Sequence, residues 1–445
     1  MTAARPLVGF YGDDFTGSSE NLAQFHRSGL RTRLYLKVPP IAELREAAGQ
    51  LDVIGFAGTA RAMNCEQMAV EIQPAFDALK ALGCRILQYK ICSTFDSAPE
   101  TGNFGFAAEM ITRGGRDFDT AVLAATPDFG RYTAFGNHYA RFGKDVLRLD
   151  RHPGMSSHPR TPMREADLRL HLDTLCALPF ANICLPEIGS PGTLTARIAT
   201  LFSEGKGIVF DGVTNDDVAA VVRALWERSA IHPLFVIAAQ GFAQHLGRTL
   251  AGMRAENELE TVRTTIPPVD NLLVLSGSCA IQTGRQIDAA LAAGWAGIAL
   301  DPAGLCDERT ASDAVDAIEP KVLENLEAGR PTIVYTARGN VVDREAFEDI
   351  PPQHIGRVYA ALMGAVRRQT AIPRVVFAGG DSSSYSIRHS GADALTIKVF
   401  DEVQQGHLCE LISEDPHLNG VEVLLKGGQV GEEDYFLRVR NGTDR

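Results

Sequence analysis

No pair of cysteines in this sequence has the C-x-x-C spacing of a zinc ribbon or a redox motif. The eight cysteines, Cys65, Cys84, Cys92, Cys176, Cys184, Cys279, Cys306 and Cys409, are scattered, and most sit beside apolar residues. That argues against a disulfide framework and for buried thiols in a reducing compartment. An excess of positive charge is also lacking: 43 Lys and Arg stand against 55 Asp and Glu, a net charge of −12. Nonspecific nucleic-acid binding is therefore not expected, although a small anion held by local fields remains compatible. No apolar run is long enough to cross a bilayer, so no membrane role is expected. The start, Met1 to Pro6, is too short and polar for a signal peptide, which leads to the expectation of a cytoplasmic protein. Low-complexity segments and internal repeats are absent. No G-x-G-x-x-G follows the first strand with an acidic residue at the right distance, which disfavours a dehydrogenase.

What is present is ordinary in amount and informative in pattern. The chain has 445 residues, of which 45% are hydrophobic and 22% charged. Such a length suits about two or three domains. Short apolar runs read as buried strands: 7–11, 51–57, 85–92, 120–125, 208–210 and 234–239 in the first half, then 271–275, 297–300, 331–336, 375–378, 395–400 and 421–426. Helical patterns alternate with them, which predicts an α/β fold with largely parallel sheets. The best linker is Thr264 to Asp270, where Pro267 and Pro268 block a helix. It divides the chain into domains 1–266 and 267–445, with an interdomain cleft expected between two α/β halves.

Three strand ends in the second half share one character. Val375-Val376-Phe377-Ala378 runs into Gly379-Gly380-Asp381-Ser382-Ser383. Val274-Leu275 runs into Ser276-Gly277-Ser278-Cys279, and Leu424-Leu425 into Lys426-Gly427-Gly428-Gln429-Val430-Gly431. Glycines permit close approach of backbone to a ligand, and a helix beginning at Asp381 would offer free N–H groups and a positive dipole end to a phosphate. One such turn is more often an ordinary strand-to-helix connection. Three in one domain predict a crevice at the carboxyl ends of a sheet, read here as a nucleotide site.

The first half is rich in convergent polar groups. Asp13 and Asp14 follow the first strand, and two adjacent carboxylates need a cation or donors to hold them. A ligand hydroxyl, Mg²⁺ or a lysine could serve; a helix-capping Asp with a solvated neighbour is the plainer account. Arg61, in a loop after the third run, is suited to fork onto a carboxylate or to lie on the surface. Lys90, Ser93, Thr94 and Asp96 cluster within one short loop, with Asn103 close behind. A polyhydroxylated acid needs that mixture of donors and acceptors, whereas a helix cap explains only one or two of them. Asp128 and Arg131 follow the next strand. His152 and His158 flank a loop, but no third ligand has sensible spacing, so zinc is not expected.

In their order and spacing these segments resemble the four-carbon acid sugar kinases. The resemblance runs over nearly the whole chain. It rests on residues 11–17, 93–97 with Gly102-Asn103, 157–159, 276–279, 379–383 and 426–431. It implies two domains, with the acid sugar on the N-terminal one and ATP on the C-terminal one. Members of the family phosphorylate threonate, erythronate or 3-oxo-tetronates. Common members carry Asp-Ser-Thr-Leu-Arg-Gly where this chain has Cys92 to Ser97. The Ser-Thr-Phe-Asp-Ser variant is more similar to the branch that acts on 3-oxo-isoapionate.

The resemblance implies transfer of the ATP γ-phosphoryl group to a terminal hydroxyl of a short acid sugar, which asks for positioning and charge neutralisation. Ser276, Ser278, Gly379, Gly380, Asp381, Ser382, Ser383, Lys426, Gly427, Gly428 and Gly431 would hold the phosphates, with Mg²⁺ bridging them through ligands not identified. Asp381 is the first candidate to accept the hydroxyl proton and Asp14 the second. Asp13, Asp14, Arg61, Lys90, Ser93, Thr94, Asp96, Asp128 and Arg131 would grip the acid. A non-catalytic two-domain binding protein for an acid sugar is the rival reading, and a homo-oligomer stays open.

Overall fold

The computed structural model describes residues 8–112, 117–301, 305, 308–339, 350–401 and 407–443. The chain forms two compact units, Met1–Thr261 and Val262–Arg445.

The first unit is built on a parallel sheet. Its strands are β1 (Val8–Gly12), β2 (Thr32–Tyr35), β3 (Val53–Ala57), β4 (Ile86–Lys90), β5 (Asp119–Leu123), β9 (Phe180–Ile183), β10 (Gly207–Phe210) and β11 (Leu234–Ala238). They lie in the order β2-β3-β1-β4-β11-β5-β10-β9, with every neighbouring pair parallel. Every residue of β1, β3, β4 and β11 is buried, as expected of a sheet covered by helices on both faces. The register sets Gly12 level with Ala57 and Lys90, and Ala238 level with Lys90 and Leu123. The segments after these strands therefore emerge at one edge. A buried amide pair fixes the first helix, Phe15–His26, to β4: Asn21 Nδ2 donates to Gln88 Oε1 at 3.0 Å and Gln88 Nε2 donates to Asn21 Oδ1 at 3.1 Å.

A separate antiparallel ribbon, β6 (Arg131–Ala134), β7 (Asn137–Phe142) and β8 (Asp145–Arg148), follows β5. The sequence reading left this region without strands. Only the inward residues of β6 and β7 are buried, so no continuous apolar run marks them.

The second unit has β12 (Leu273–Ser276), β13 (Ala296–Ala299), β14 (Thr332–Tyr335), β15 (Arg374–Ala378), β16 (Ala394–Val399), β17 (Leu408–Ile412) and β18 (Glu422–Lys426), in the order β13-β14-β12-β15-β18-β17-β16. The first five in that order run parallel, and β17 is antiparallel to both its neighbours. Its core joins Ile266 and Leu272 to Val376, Leu424 and the final helix at Tyr435, Phe436 and Val439. Arg374 is fully buried yet compensated. Its Nη2 donates to Glu422 Oε2 at 2.6 Å, and its Nη1 donates to the carbonyls of Pro267 and Val439. Buried charge is tolerated on those terms, and here it seats the Pro267 stretch on the C-terminal unit. No helix among the described residues is long and apolar enough to cross a membrane.

Candidate functional site

In the first unit the Gly12 end of β1 delivers two carboxylates into one guanidinium. Arg61 Nη2 donates to Asp13 Oδ1 at 2.7 Å and to Asp14 Oδ1 at 2.6 Å, and Arg61 Nε donates to Asp13 Oδ2 at 3.3 Å. Asp14 is also the N-cap of helix Phe15–His26, its Oδ2 accepting the Gly17 N–H at 3.0 Å. A Cβ at Gly17 would stand 2.4 Å from Asp14 Oδ1 and 2.9 Å from Lys90 Nζ, so a larger residue would have to displace both side-chain ends.

The two carboxylates are driven apart electrostatically. Burial raises the Asp13 pKa to about 6, with Arg61 opposing the rise and the Asp14 charge adding to it. Burial also pushes Asp14 up, but Arg61, Lys90 and the Gly17 N–H outweigh it and hold Asp14 below the ordinary carboxylate value. Lys90, at the end of β4, is 2% exposed and donates to the Ile91 carbonyl at 2.7 Å.

The loop after β4 turns on Phe95, whose φ of 59° is rare for a non-glycine residue. Its ring is fully buried, 4.6 Å from the Phe104 centroid and 5.8 Å from that of His171, which anchors the unfavourable backbone. Around it Thr94 Oγ1 donates to Asp96 Oδ1 at 2.6 Å, with Cys92 Sγ 2.9 Å from the same hydroxyl. His138, on β7, places Nε2 2.9 Å from the Ser93 carbonyl and Nδ1 2.8 Å from Thr133 Oγ1. Burial lowers its pKa to about 4, so the ring is neutral near pH 7; one nitrogen donates to the carbonyl and the other accepts from the hydroxyl. Asp128 is occupied elsewhere: its oxygens accept from Asn215 Nδ2 at 2.7 Å and Gln244 Nε2 at 2.8 Å. His152 and His158 serve the backbone, accepting from Gly154 and Met155 and from Thr161 respectively.

In the second unit β12, β15 and β18 are neighbours, and their last residues, Ser276, Ala378 and Lys426, lie level. Their glycine-bearing segments meet. Gly277 N donates to the Ala378 carbonyl at 2.9 Å and Gly379 N to the Lys426 carbonyl at 2.8 Å. Gly379 adopts φ 128°, outside the reach of ordinary side chains, and precedes the helix Gly380–His389 without a side-chain cap. A Cβ at Gly380 would meet open space. Asp381 follows in that helix, and its side chain lies outside the described residues. Ser276 and Ser383 hold buried hydroxyls with no hydrogen-bond partner. Ser278 Oγ accepts the Ala280 N–H at 3.2 Å. Lys426 is 1% exposed; its Nζ donates to Thr283 Oγ1 and to the Gly427 carbonyl, both at 3.0 Å. Burial lowers its pKa to about 8.

Sequence reasoning missed the struts behind this edge. Thr283 Oγ1 donates to the Gly428 carbonyl, Gln286 Nε2 reaches the carbonyls of Val430, Gly431 and Glu432, and Tyr359 Oη donates to the Ser276 carbonyl. The available signal was Thr283 and Gln286 three apart on the buried face of helix Ile281–Ala292. Among the described residues no group of three or more His, Cys, Asp and Glu could hold a metal. Hydroxyls without a partner among the described residues, a helix start with no side-chain cap and a buried lysine bonded to neutral groups suit a polyphosphate.

Residues 8–246 match the family model described as a sugar-binding N-terminal domain, and residues 273–436 that of a nucleotide-binding C-terminal domain. A 3-oxo-isoapionate kinase from Paraburkholderia graminis is 32% identical, over 98% of this chain and 94% of that protein. A 3-oxo-tetronate kinase from Pseudomonas fluorescens is 28% identical, over 98% and 96%. The fold is that of Haemophilus influenzae protein HI1011, with a TM-score of 0.75 at 22% identity, covering 97% of this chain and 98% of that one.

Proposed function

The chain belongs to the four-carbon acid sugar kinase family, and from that premise we propose that it transfers the γ-phosphoryl group of ATP to a terminal hydroxyl of a short acid sugar. The observation that carries the reading is the convergence of three parallel strand ends, Ser276, Ala378 and Lys426, on buried unpartnered hydroxyls and an uncapped helix start. That arrangement supplies amides, hydroxyls and one cation to a polyphosphate. The acid sugar binds on the N-terminal unit at Asp13, Asp14, Arg61, Lys90, Ser93, Thr94, Asp96 and Arg131. A branched 3-oxo acid of the kind named for the Paraburkholderia relative is the first substrate to try, and 3-oxo-tetronate the second.

In the transfer the substrate oxygen bonds to phosphorus, ADP leaves, and the hydroxyl proton passes to a carboxylate. Asp381, just after the glycine turn, is the first candidate for that acceptor. Asp14 is the second, but its depressed pKa and its bonds to Arg61 and Gly17 make it a weak base and a good orienting group. Mg²⁺ would arrive on the phosphates, which fits the lack of a ready-made cage among the described residues. The compartment that goes with this reading is the cytoplasm, which supplies the nucleotide.

The direct test is incubation of the full chain with ATP, Mg²⁺ and a panel of short acid sugars, followed by ADP release and product mass. A phosphorylated acid is expected. The binding-protein alternative predicts that ATP is ignored. Saturating nucleotide should therefore raise the thermal midpoint, by about 2.7 kcal/mol of added stability at a hundredfold excess over Kd. Gly428→Val should abolish that gain, because a Cβ there already meets Ser278 Oγ at 2.6 Å. An unchanged midpoint in the parent protein would refute the nucleotide site.

A further inference from the structure

We propose that Arg131 is the residue that takes the carboxylate of the acid, and that Asp96 takes one of its hydroxyls. This rests on the reading of the N-terminal unit as the acid-sugar site.

The argument starts from which cations are already spent. Arg61 makes three bonds to Asp13 and Asp14. Arg228 pairs with Asp119, and Arg254 with Asp52. Lys90 is turned to the Ile91 carbonyl, with Asp14 in its field. Arg131 differs. It opens β6 immediately beyond the carboxyl end of β5, held there by reciprocal backbone bonds with Thr126 at 3.0 and 3.2 Å. That places it at the sheet edge where Asp13 and Lys90 emerge. Its Nη1 donates to the Phe129 and Gly130 carbonyls at 2.9 and 3.3 Å. Its Nε is buried without a hydrogen-bond partner, and among the described residues it makes no ion pair. A half-buried guanidinium with no direct ion pair is costly, and the cost falls when an anion docks on its free edge.

Its electrostatic neighbours include Cys92 and Asp96 on the loop that follows β4, with Arg141 and Tyr132 of the ribbon on its other side. Asp96 is buried and already accepts the Thr94 hydroxyl. A carboxylate there offers oxygens that accept hydrogen bonds from the substrate's hydroxyls. The pair gives the site a polarity, with the acid end at Arg131 and a hydroxylated carbon at Asp96. The ligand class is a short hydroxycarboxylate, discriminated from the neutral polyol with the same hydroxyls.

The test is calorimetric titration of the full chain, without nucleotide, using threonate, erythronate and glycerate, with threitol as the uncharged control. Arg131→Gln should weaken the acids by about ten- to a hundredfold, the scale of a hydrogen bond to a charged group. Arg131→Lys, which keeps the charge and loses the fork, should lose less. Threitol should bind parent and variants alike. Equal losses for acid and threitol would reduce Arg131 to a structural role and overturn the proposal. So would undiminished acid affinity in Arg131→Gln, or no binding of any of the three acids to the parent protein. ATP-dependent turnover of the parent protein is measured alongside. If the acids bind through Arg131 but are never phosphorylated, the kinase reading falls and this assignment stands. If turnover is present but Arg131→Gln binds the acids normally, only this assignment falls.

Discussion

The candidate sites of the two units are built from opposite chemistry. At the edge of the N-terminal sheet the groups are charged and tied to each other: Asp13, Asp14 and Arg61 share three short bonds. At the corresponding edge of the C-terminal sheet the groups are mostly neutral, and several are free. Ser276 and Ser383 lack partners, the helix from Gly380 is uncapped, and Lys426 bonds only to a hydroxyl and a carbonyl. Charges must be paired in advance because an isolated buried charge is expensive. Hydroxyls and amides cost far less to leave waiting. A small acid with several hydroxyls needs a rigid, signed constellation. A polyphosphate needs many donors of one kind, which backbone supplies.

The largest expected effect breaks the paired side of that contrast. Arg61→Ala strands two carboxylates and should cost about 3–5 kcal/mol of stability near neutral pH, the usual penalty for removing one partner of a buried pair. The sign with pH follows from Asp13. Its folded pKa of about 6 lies above its ordinary value, so its contribution is fully present at low pH and is lost as pH rises through about 6. Without Arg61 the carboxylates protonate more readily, so the variant should be closer to the parent at pH 5 than at pH 8. Denaturant unfolding at both values measures this. A cost independent of pH would mean that Arg61 acts through packing.

A smaller effect concerns turnover. Asp381→Asn keeps the shape and removes the base, so kcat should fall by roughly a hundredfold or more while nucleotide affinity changes little. Steady-state kinetics with the true acid, beside direct nucleotide titration, separates the two quantities. Near-normal kcat would remove Asp381 from the mechanism and leave Asp14 to be tested.

The smallest effect sharpens the unpaired side. Lys426 has a pKa of about 8 because burial disfavours its charge. Nucleotide affinity should hold steady below pH 8 and weaken above it, by at most about tenfold per pH unit, as the ammonium loses its proton. The free protein should show the reverse trend. Between about 8 and the ordinary 10.5 the unfolded chain binds more protons at this lysine, so stability rises with pH across that window. Nucleotide titrations from pH 7 to 9.5 are the check, with Lys426→Met expected to flatten the profile.

Much of the fold could be read along the chain. The short apolar runs at 7–11, 51–57, 85–92 and 375–378 overlap β1, β3, β4 and β15 nearly end to end, because a strand buried on both faces is mostly apolar. The ribbon β6 to β8 escaped for the converse reason. Residues such as Asn137, Tyr139 and Arg148 are partly exposed and carry no such run. Candidate residues were visible where a polar group interrupts a strand end, as at Asp13, Lys90 and Lys426. Thr283, Gln286, Tyr359 and His138 were not visible, because they act on loops 83, 45 or more than 140 residues away.

By itself the sequence determined the α/β class and the residue types at each strand end, since both follow from local pattern. Only the tertiary structure decided how those groups are spent. Strand order put Ser276, Ala378 and Lys426 side by side, which no spacing along the chain encodes. It committed Asp128 to Asn215 and Gln244, gave Arg61 to Asp13 and Asp14, and left the Arg131 Nε without a hydrogen-bond partner among the described residues. Whether a charge is paired or waiting depends on neighbours from other strands, and those distances exist only once the sheet has formed.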